Sequence, residues 1–156
     1  MPVVLKWKIL DKQATAPRYM SHGASGMDIS ACLTDHSKYP DGLICLMSGE
    51  CVAIPTGLAV EIPYGYEMQI RPRSGLSLST KLRIPNSPGT IDSDYRGEIK
   101  IIIEHSGWPT DTNIVIKHGD RIAQAVIVPV IFVMNKYVMM LTDTERGEDG
   151  FGSTGV

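Results

Sequence analysis

Apolar side chains recur at every second position along much of this chain, a spacing that lines one face of an extended strand and scatters around a helix. Leu5, Trp7 and Ile9 alternate with Lys6 and Lys8, and Tyr66, Met68 and Ile70 alternate with Glu67, Gln69 and Arg71. Ile99, Ile101 and Ile103 do the same against Glu98, Lys100 and Glu104. Residues 51–62 are also strand-like, and residues 121–134 carry a nearly continuous apolar run, IAQAVIVPVIFV, suited to a strand buried on both faces. Pro129 would make a helix there costly. Turn signals separate the runs at Pro40-Asp41-Gly42, Ser48-Gly49, Pro63-Tyr64-Gly65, Ser87-Pro88-Gly89, His105-Ser106-Gly107 and His118-Gly119-Asp120. Fifteen Gly, ten Pro and no amphipathic helical stretch predict an all-β barrel or sandwich, with residues 75–81 (GLSLSTK) as its one short helix.

At 156 residues the chain is one domain's length, enough to bury ~70% of its unfolded surface in a single core. The net charge is −2 and the Lys and Arg are scattered, so no basic stripe argues for duplex nucleic acid or an anionic membrane. Any anionic ligand must be held locally. Cys32, Cys45 and Cys51 form an odd set without C-x-x-C spacing, which predicts reduced, mostly structural thiols and neither a disulfide framework nor a zinc site. The N-terminal MPVVLKWKIL is interrupted by Lys6 and Lys8 and lacks the apolar run of a signal peptide or spanning helix. The expectation is a soluble cytoplasmic protein.

Five segments hold more polar and glycine residues than a β scaffold requires. The end of the chain, ERGEDGFGSTGV (145–156), offers Arg146 as a planar charged fork, hydroxyls on Ser153 and Thr154, glycines that let backbone approach an anion, and Phe151 to cover a flat ring. Gly150 to Gly155 fits G-x-G-x-x-G, but the dinucleotide fingerprint must open a helix, and only Val156 follows. A Gly/Ser tail without function has the same composition. In RPRSGLS (71–77), Arg73 and Ser74 precede Gly75 at the start of the short helix, where donors converge on an anion or Ser74 simply caps the helix. NSPGTIDSDYRGEIK (86–100) sets Asp92 and Asp94 two apart beside Tyr95 on a hairpin, where a carboxylate can orient water or make an Asx turn. SGMDISA (25–31) places Asp28 among apolar neighbours, and GDRIAQ (119–124) puts Gln124 into a buried run, where it needs a backbone or ligand partner.

Together, SGMDISA, RPRSGLS, NSPGTIDSDYRGE, GDRIAQ and RGEDGFGSTG resemble the five motifs of the trimeric dUTPase family, in the same order and at similar spacing. The resemblance implies a dUTPase-like β-barrel or jelly-roll (β-clip), and a homotrimer whose three sites are each built from three chains. The activity it implies is hydrolysis of dUTP to dUMP and pyrophosphate with Mg²⁺, which limits uracil in DNA and supplies the dTMP precursor. By the same resemblance Asp92 activates the attacking water, Tyr95 packs beneath the deoxyribose, and Asn86 with the backbone around Gly89, Thr90, Ile91 and Lys100 reads uracil. Arg73, Ser74, Gly75 and Gln124 would hold phosphates, and Asp28 would act through metal-bound water or by fixing Arg73. Residues 1–142 would form the barrel and residues 143–156 a mobile tail, in which Arg146, Gly152, Ser153 and Thr154 clamp the γ-phosphate and Phe151 stacks on uracil. Asp149 departs from the small residue usual at its place, and Met27 from an aromatic or leucine. The rivals are a related dCTP deaminase, against which stand the short chain and the GFGST tail, and a dUTPase-fold module that senses nucleotide or engages a protein.

Overall fold

The computed structural model describes residues 2–149 as twelve strands and one short helix, which bears out the all-β expectation. The largest sheet has the order β2 (Arg18–Tyr19), β3 (Met27–Ser30), β12 (Arg121–Pro129), β7 (Tyr66–Arg71), β9 (Gly89–Ile91), all antiparallel. Around it lie β1 (Lys6–Ile9) on β6 (Leu58–Glu61), β10 (Lys100–His105) between β5 (Cys51–Pro55) and β8 (Leu82–Arg83), and β4 (Leu43–Leu46) on β11 (Ile114–Lys117). Ile29, Leu46, Ile54, Leu58, Met68 and Ile101 are fully enclosed between the sheets. Alternation reads correctly where one face meets this core: Ile101 and Ile103 are buried while Ile102 between them is exposed. Leu5, just before β1, and Trp7 on it pack against the core, but Ile9 is exposed at the strand's end.

The strand-like residues 51–62 form two strands, β5 and β6. Gly57 adopts φ +67, a left-handed conformation that turns the chain from the β5–β10 sheet into the β6–β1 sheet. A Cβ there would stand 2.8 Å from Ala14 Cβ and 3.0 Å from Cys32 Sγ. The corner is tied to the start of β10: Thr56 Oγ1 donates to the Ile99 carbonyl at 2.7 Å, and Gly57 N–H to Glu98 Oε1 at 2.9 Å. This fixes the base of the hairpin that carries Asp92 and Tyr95.

The helix α1 spans Ser74–Ser79, one residue earlier than expected and ending where Thr80 returns its N–H and hydroxyl to the Leu76 carbonyl. The apolar run 121–134 is strand only to Pro129, which pairs with Tyr66, the first residue of β7. Beyond it β12 has no partner. Val130 N–H still reaches the Gly65 carbonyl at 2.8 Å, and Phe132 stacks on Tyr64 with ring centroids 5.0 Å apart. Residues 131–149 are then exposed and outside any strand or helix. Burial of β12 on both faces also stops halfway, since Val126, Ile127 and Val128 are only half-buried.

Cys32, Cys45 and Cys51 are free thiols, and only Cys32 is buried; Cys45 and Cys51 are exposed. Burial pushes the Cys32 thiol up, with the Thr34 hydroxyl opposing. No helix of the described residues is long and apolar enough to cross a membrane.

Candidate active site

The residues singled out in the sequence gather into two clusters, one on each side of β7. On the first side, β12 sets Gln124 opposite Asp28 of β3 and Arg71 of β7. The chain leaves β7 through Pro72 and enters α1 with Arg73 at the cap position. Ser74 is the first helical residue and not the cap, and no side chain caps the helix. Asp28 therefore becomes the centre of the cluster. Its Oδ1 accepts from Arg73 Nε and its Oδ2 from Arg121 Nη1, both at 3.1 Å. Arg73 Nη1 also donates to the Arg121 carbonyl at 3.1 Å, and Gln124 Nε2 to the Pro72 carbonyl at 2.9 Å.

Asp28, Arg73, Ser74, Gly75, Arg121 and Gln124 line one open cavity of about 300 Å³. Two guanidinium groups against one carboxylate leave an excess positive charge there, next to the Ser74 hydroxyl, so the cavity suits a multiply charged anion. A larger cavity of about 410 Å³ lies at the other end of α1 between Lys81, Arg83 and Asp111, and of the segments singled out it meets only Ser77, which was given no part in binding. Chemistry, and not size, selects the smaller one.

Arg121 was not foreseen. Its signal was its place in GDRIAQ, three residues before Gln124, but its partner Asp28 lies 93 residues away. Asp28→Ala should leave Arg73 and Arg121 facing each other without the carboxylate between them. We expect a loss of about 1–3 kcal/mol, toward the lower end because Arg121 is half exposed, measured by denaturant unfolding.

On the other side, β9 pairs with β7 and opens the hairpin: Gly89 lies opposite Ile70, Thr90 opposite Gln69 and Ile91 opposite Met68. The Asn86 side chain folds over Gly89, where a Cβ would approach its Nδ2 to 2.9 Å. After Ile91 the chain turns, with Tyr95 N–H on the Asp92 carbonyl at 3.2 Å, and Arg96 Nη1 bridges the carbonyls of Ser93 and Tyr95 at 2.7 and 2.9 Å. Tyr95 Oη donates to the Glu98 carbonyl at 3.0 Å. Asp92 and Asp94 are both exposed, and neither carboxylate takes part in a hydrogen bond or ion pair among the described residues. The Asx-turn alternative therefore finds no support. Lys100 leads into β10 with Nζ 3.9 Å from Glu98 Oε2.

Arg146 joins neither cluster. Its Nε donates to the Asp149 carbonyl at 2.8 Å and closes a turn on itself, while the Asp149 carboxylate makes no ion pair among the described residues. Phe151, Gly152, Ser153 and Thr154 lie outside the described residues.

Within one chain the two clusters do not meet. Gln124 sits in the row of Arg71, whereas Asp92 follows Ile91 in the row of Met68, which places them about 10 Å apart along the strands and about 10 Å across them. The anion cavity and Asp92 of one chain thus stand apart on the sheet.

Comparison with known proteins agrees with this chemistry. A family model described as dUTPase matches residues 12–155. The deoxyuridine 5′-triphosphate nucleotidohydrolase of Syntrophotalea carbinolica is 47% identical over 153 residues, covering 98% of this chain and 97% of that protein. Among solved structures, the Staphylococcus bacteriophage 80alpha dUTPase with dUPNHPP superposes with a TM-score of 0.80 at 31% identity, over 98% of this chain and 99% of that one. A variant dUTPase from phage phi11 of S. aureus, described with a structural Mg(II) ion, gives a TM-score of 0.76 at 27% identity over 88% and 97% of the two chains. The fold is thus the jelly-roll β fold of these enzymes, and the chain belongs to the dUTPase family.

Proposed function

We propose that this chain hydrolyses dUTP to dUMP and pyrophosphate, in a homotrimer whose sites are shared between subunits. The observation that carries the chemistry is Asp92, an exposed carboxylate with no partner among the described residues, held by a turn beside Tyr95. In the reaction Asp92 takes a proton from water as the water oxygen bonds to the α-phosphorus. The bond from that phosphorus to the α–β bridging oxygen breaks, and pyrophosphate leaves. Tyr95 lies beneath the deoxyribose, and Asn86 with the backbone of Gly89, Thr90, Ile91 and Lys100 presents hydrogen-bonding groups to uracil. Cytosine would leave a mismatched pair, at ~1–3 kcal/mol per unsatisfied group.

The anion cavity of a neighbouring subunit receives the phosphates on Arg73, Ser74, Gly75 and Gln124. Asp28 already accepts one hydrogen bond on each oxygen, so it fits Mg²⁺ better through a bound water than as a direct ligand. When bound, Mg²⁺ neutralises charge on the triphosphate; fixing Arg73 is the part Asp28 plays through its own contacts.

Assembly is supported by the segment after β12. Ile131, Met134, Tyr137, Met139 and Leu141 are 85–102% exposed in the single chain, an apolar row that a soluble monomer does not leave in water. It is covered by other copies. Residues 143–156 then act as a tail that closes over the nucleotide, with Arg146, Gly152, Ser153 and Thr154 on the γ-phosphate and Phe151 on uracil. The exposed free thiols of Cys45 and Cys51 suit the reducing cytoplasm, and that is where we place the enzyme.

Incubation with each deoxynucleoside triphosphate and Mg²⁺, with the products identified, tests the reading. dUMP and pyrophosphate from dUTP alone are expected. Ammonia from dCTP would point to the deaminase instead, and binding of dUTP without turnover to a sensing module.

A further inference from the structure

We propose that Gly97 is a specificity-determining positioning residue, whose missing side chain is the space into which Tyr95 folds to reject a ribose 2′-hydroxyl. The inference rests on the reading that Tyr95 packs beneath the sugar. A Cβ built at Gly97 would lie 2.6 Å from Tyr95 Cζ and 3.1 Å from Cε2, and would run into the hydroxyl oxygen. Gly97 is not among the glycines with positive φ, so no left-handed backbone calls for glycine there. What demands glycine here is the tyrosine ring.

The ring is held at two points. Gly97 lies under its outer end, and the Glu98 carbonyl accepts its hydroxyl at 3.0 Å. Glu98 is itself fixed, because its carboxylate takes the Gly57 N–H at 2.9 Å and the next residue, Ile99, donates to the Leu58 carbonyl at 2.8 Å. The sheet corner at Gly57 thus reaches through Glu98 to the tip of Tyr95. Exclusion of a hydroxyl by shape needs such a fixed wall, since a ring free to swing would yield to one extra oxygen.

Tyr95 is 44% exposed, so a methyl group at position 97 can push it into another rotamer without unfolding anything. The effect should appear in selectivity and not in stability. The experiment measures kcat/KM for dUTP and UTP in the unsubstituted trimer, Gly97→Ala, Tyr95→Ala and the double variant, with thermal unfolding alongside. Gly97→Ala should lower the preference for dUTP over UTP by about tenfold while its melting temperature stays within a few degrees. The double variant should be no less selective than Tyr95→Ala alone, because the two changes remove one wall. Tyr95→Phe keeps the ring and cuts only the tether to Glu98, so its preference should fall by a smaller factor.

Unchanged selectivity in Gly97→Ala would overturn the proposal, as would losses that multiply in the double variant. Failure of Gly97→Ala to fold would overturn it too, since the ring would then be unable to yield. An unsubstituted enzyme without preference for dUTP would remove the reading of Tyr95 itself and the proposal with it, a result seen before any variant is made.

Discussion

Asp92→Asn should lower turnover of dUTP by about 10²–10⁴-fold while the protein stays folded and still binds nucleotide. The amide keeps the shape and a hydrogen-bonding oxygen but cannot take the proton that the attacking water must lose. Folding should be indifferent, because the Asp92 carboxylate is exposed and bonds to nothing in its chain among the described residues. Its backbone carbonyl still holds Tyr95 N–H in the variant, so the sugar platform remains in place. Asp94 is the internal control. It too is exposed and without a side-chain partner among the described residues, two residues away on the same turn, so a general effect of negative charge near the substrate would touch both. Single-turnover hydrolysis and titration with a non-hydrolysable dUTP analogue separate chemistry from binding. Near-native turnover in Asp92→Asn would remove Asp92 from the reaction, and an equal loss in Asp94→Asn would show that the pair acts by charge alone.

What the sequence made legible follows from where each interaction lies along the chain. The strand at 66–71 could be read because one of its faces meets the core and the other carries Glu67, Gln69 and Arg71, so burial and polarity alternate together. The run 51–62 could not be divided, because β5 and β6 are both apolar and the break rests on one dihedral angle at Gly57. Strands of two to four residues, such as β2, β8 and β9, are too short to show a period at all. The site divides the same way. Asp92 and Tyr95, or Arg73 and Ser74, are neighbours in sequence and form recognisable segments. Arg121 gains its meaning only from Asp28, 93 residues earlier, and Gly97 only from atoms it lacks. The apolar stretch 121–134 was legible as apolar, but not that its second half leaves the sheet, since alternation is silent about which chain a strand's neighbour belongs to.

That last ambiguity can be resolved by mixing two inactive proteins. Asp92→Asn lacks the catalytic carboxylate, and a chain ending before Arg146 lacks the proposed tail; each alone should be nearly inactive. Asp92 is exposed and, among the described residues that the truncation removes, 146–149 contribute no buried side chain. Both should therefore assemble normally. If the carboxylate and the tail at one site come from different subunits, exchanged trimers contain sites that draw Asp92 from a truncated chain and the tail from an Asp92→Asn chain. With equal amounts and random exchange, about a quarter of sites meet both conditions, so activity should return to about a quarter of the unsubstituted enzyme. If one chain supplied both, no mixed trimer could hold a complete site and none would return. In the fold, Asp92 and the anion cavity of its own chain stand in different rows of the sheet, on opposite sides of β7. In the proposed trimer, the exposed apolar row at 131–141 would lie against neighbours that bring the second cluster into reach. Mixed trimers shown by mass to contain both chains, and yet inactive, would place the whole site in one subunit and sink the shared arrangement.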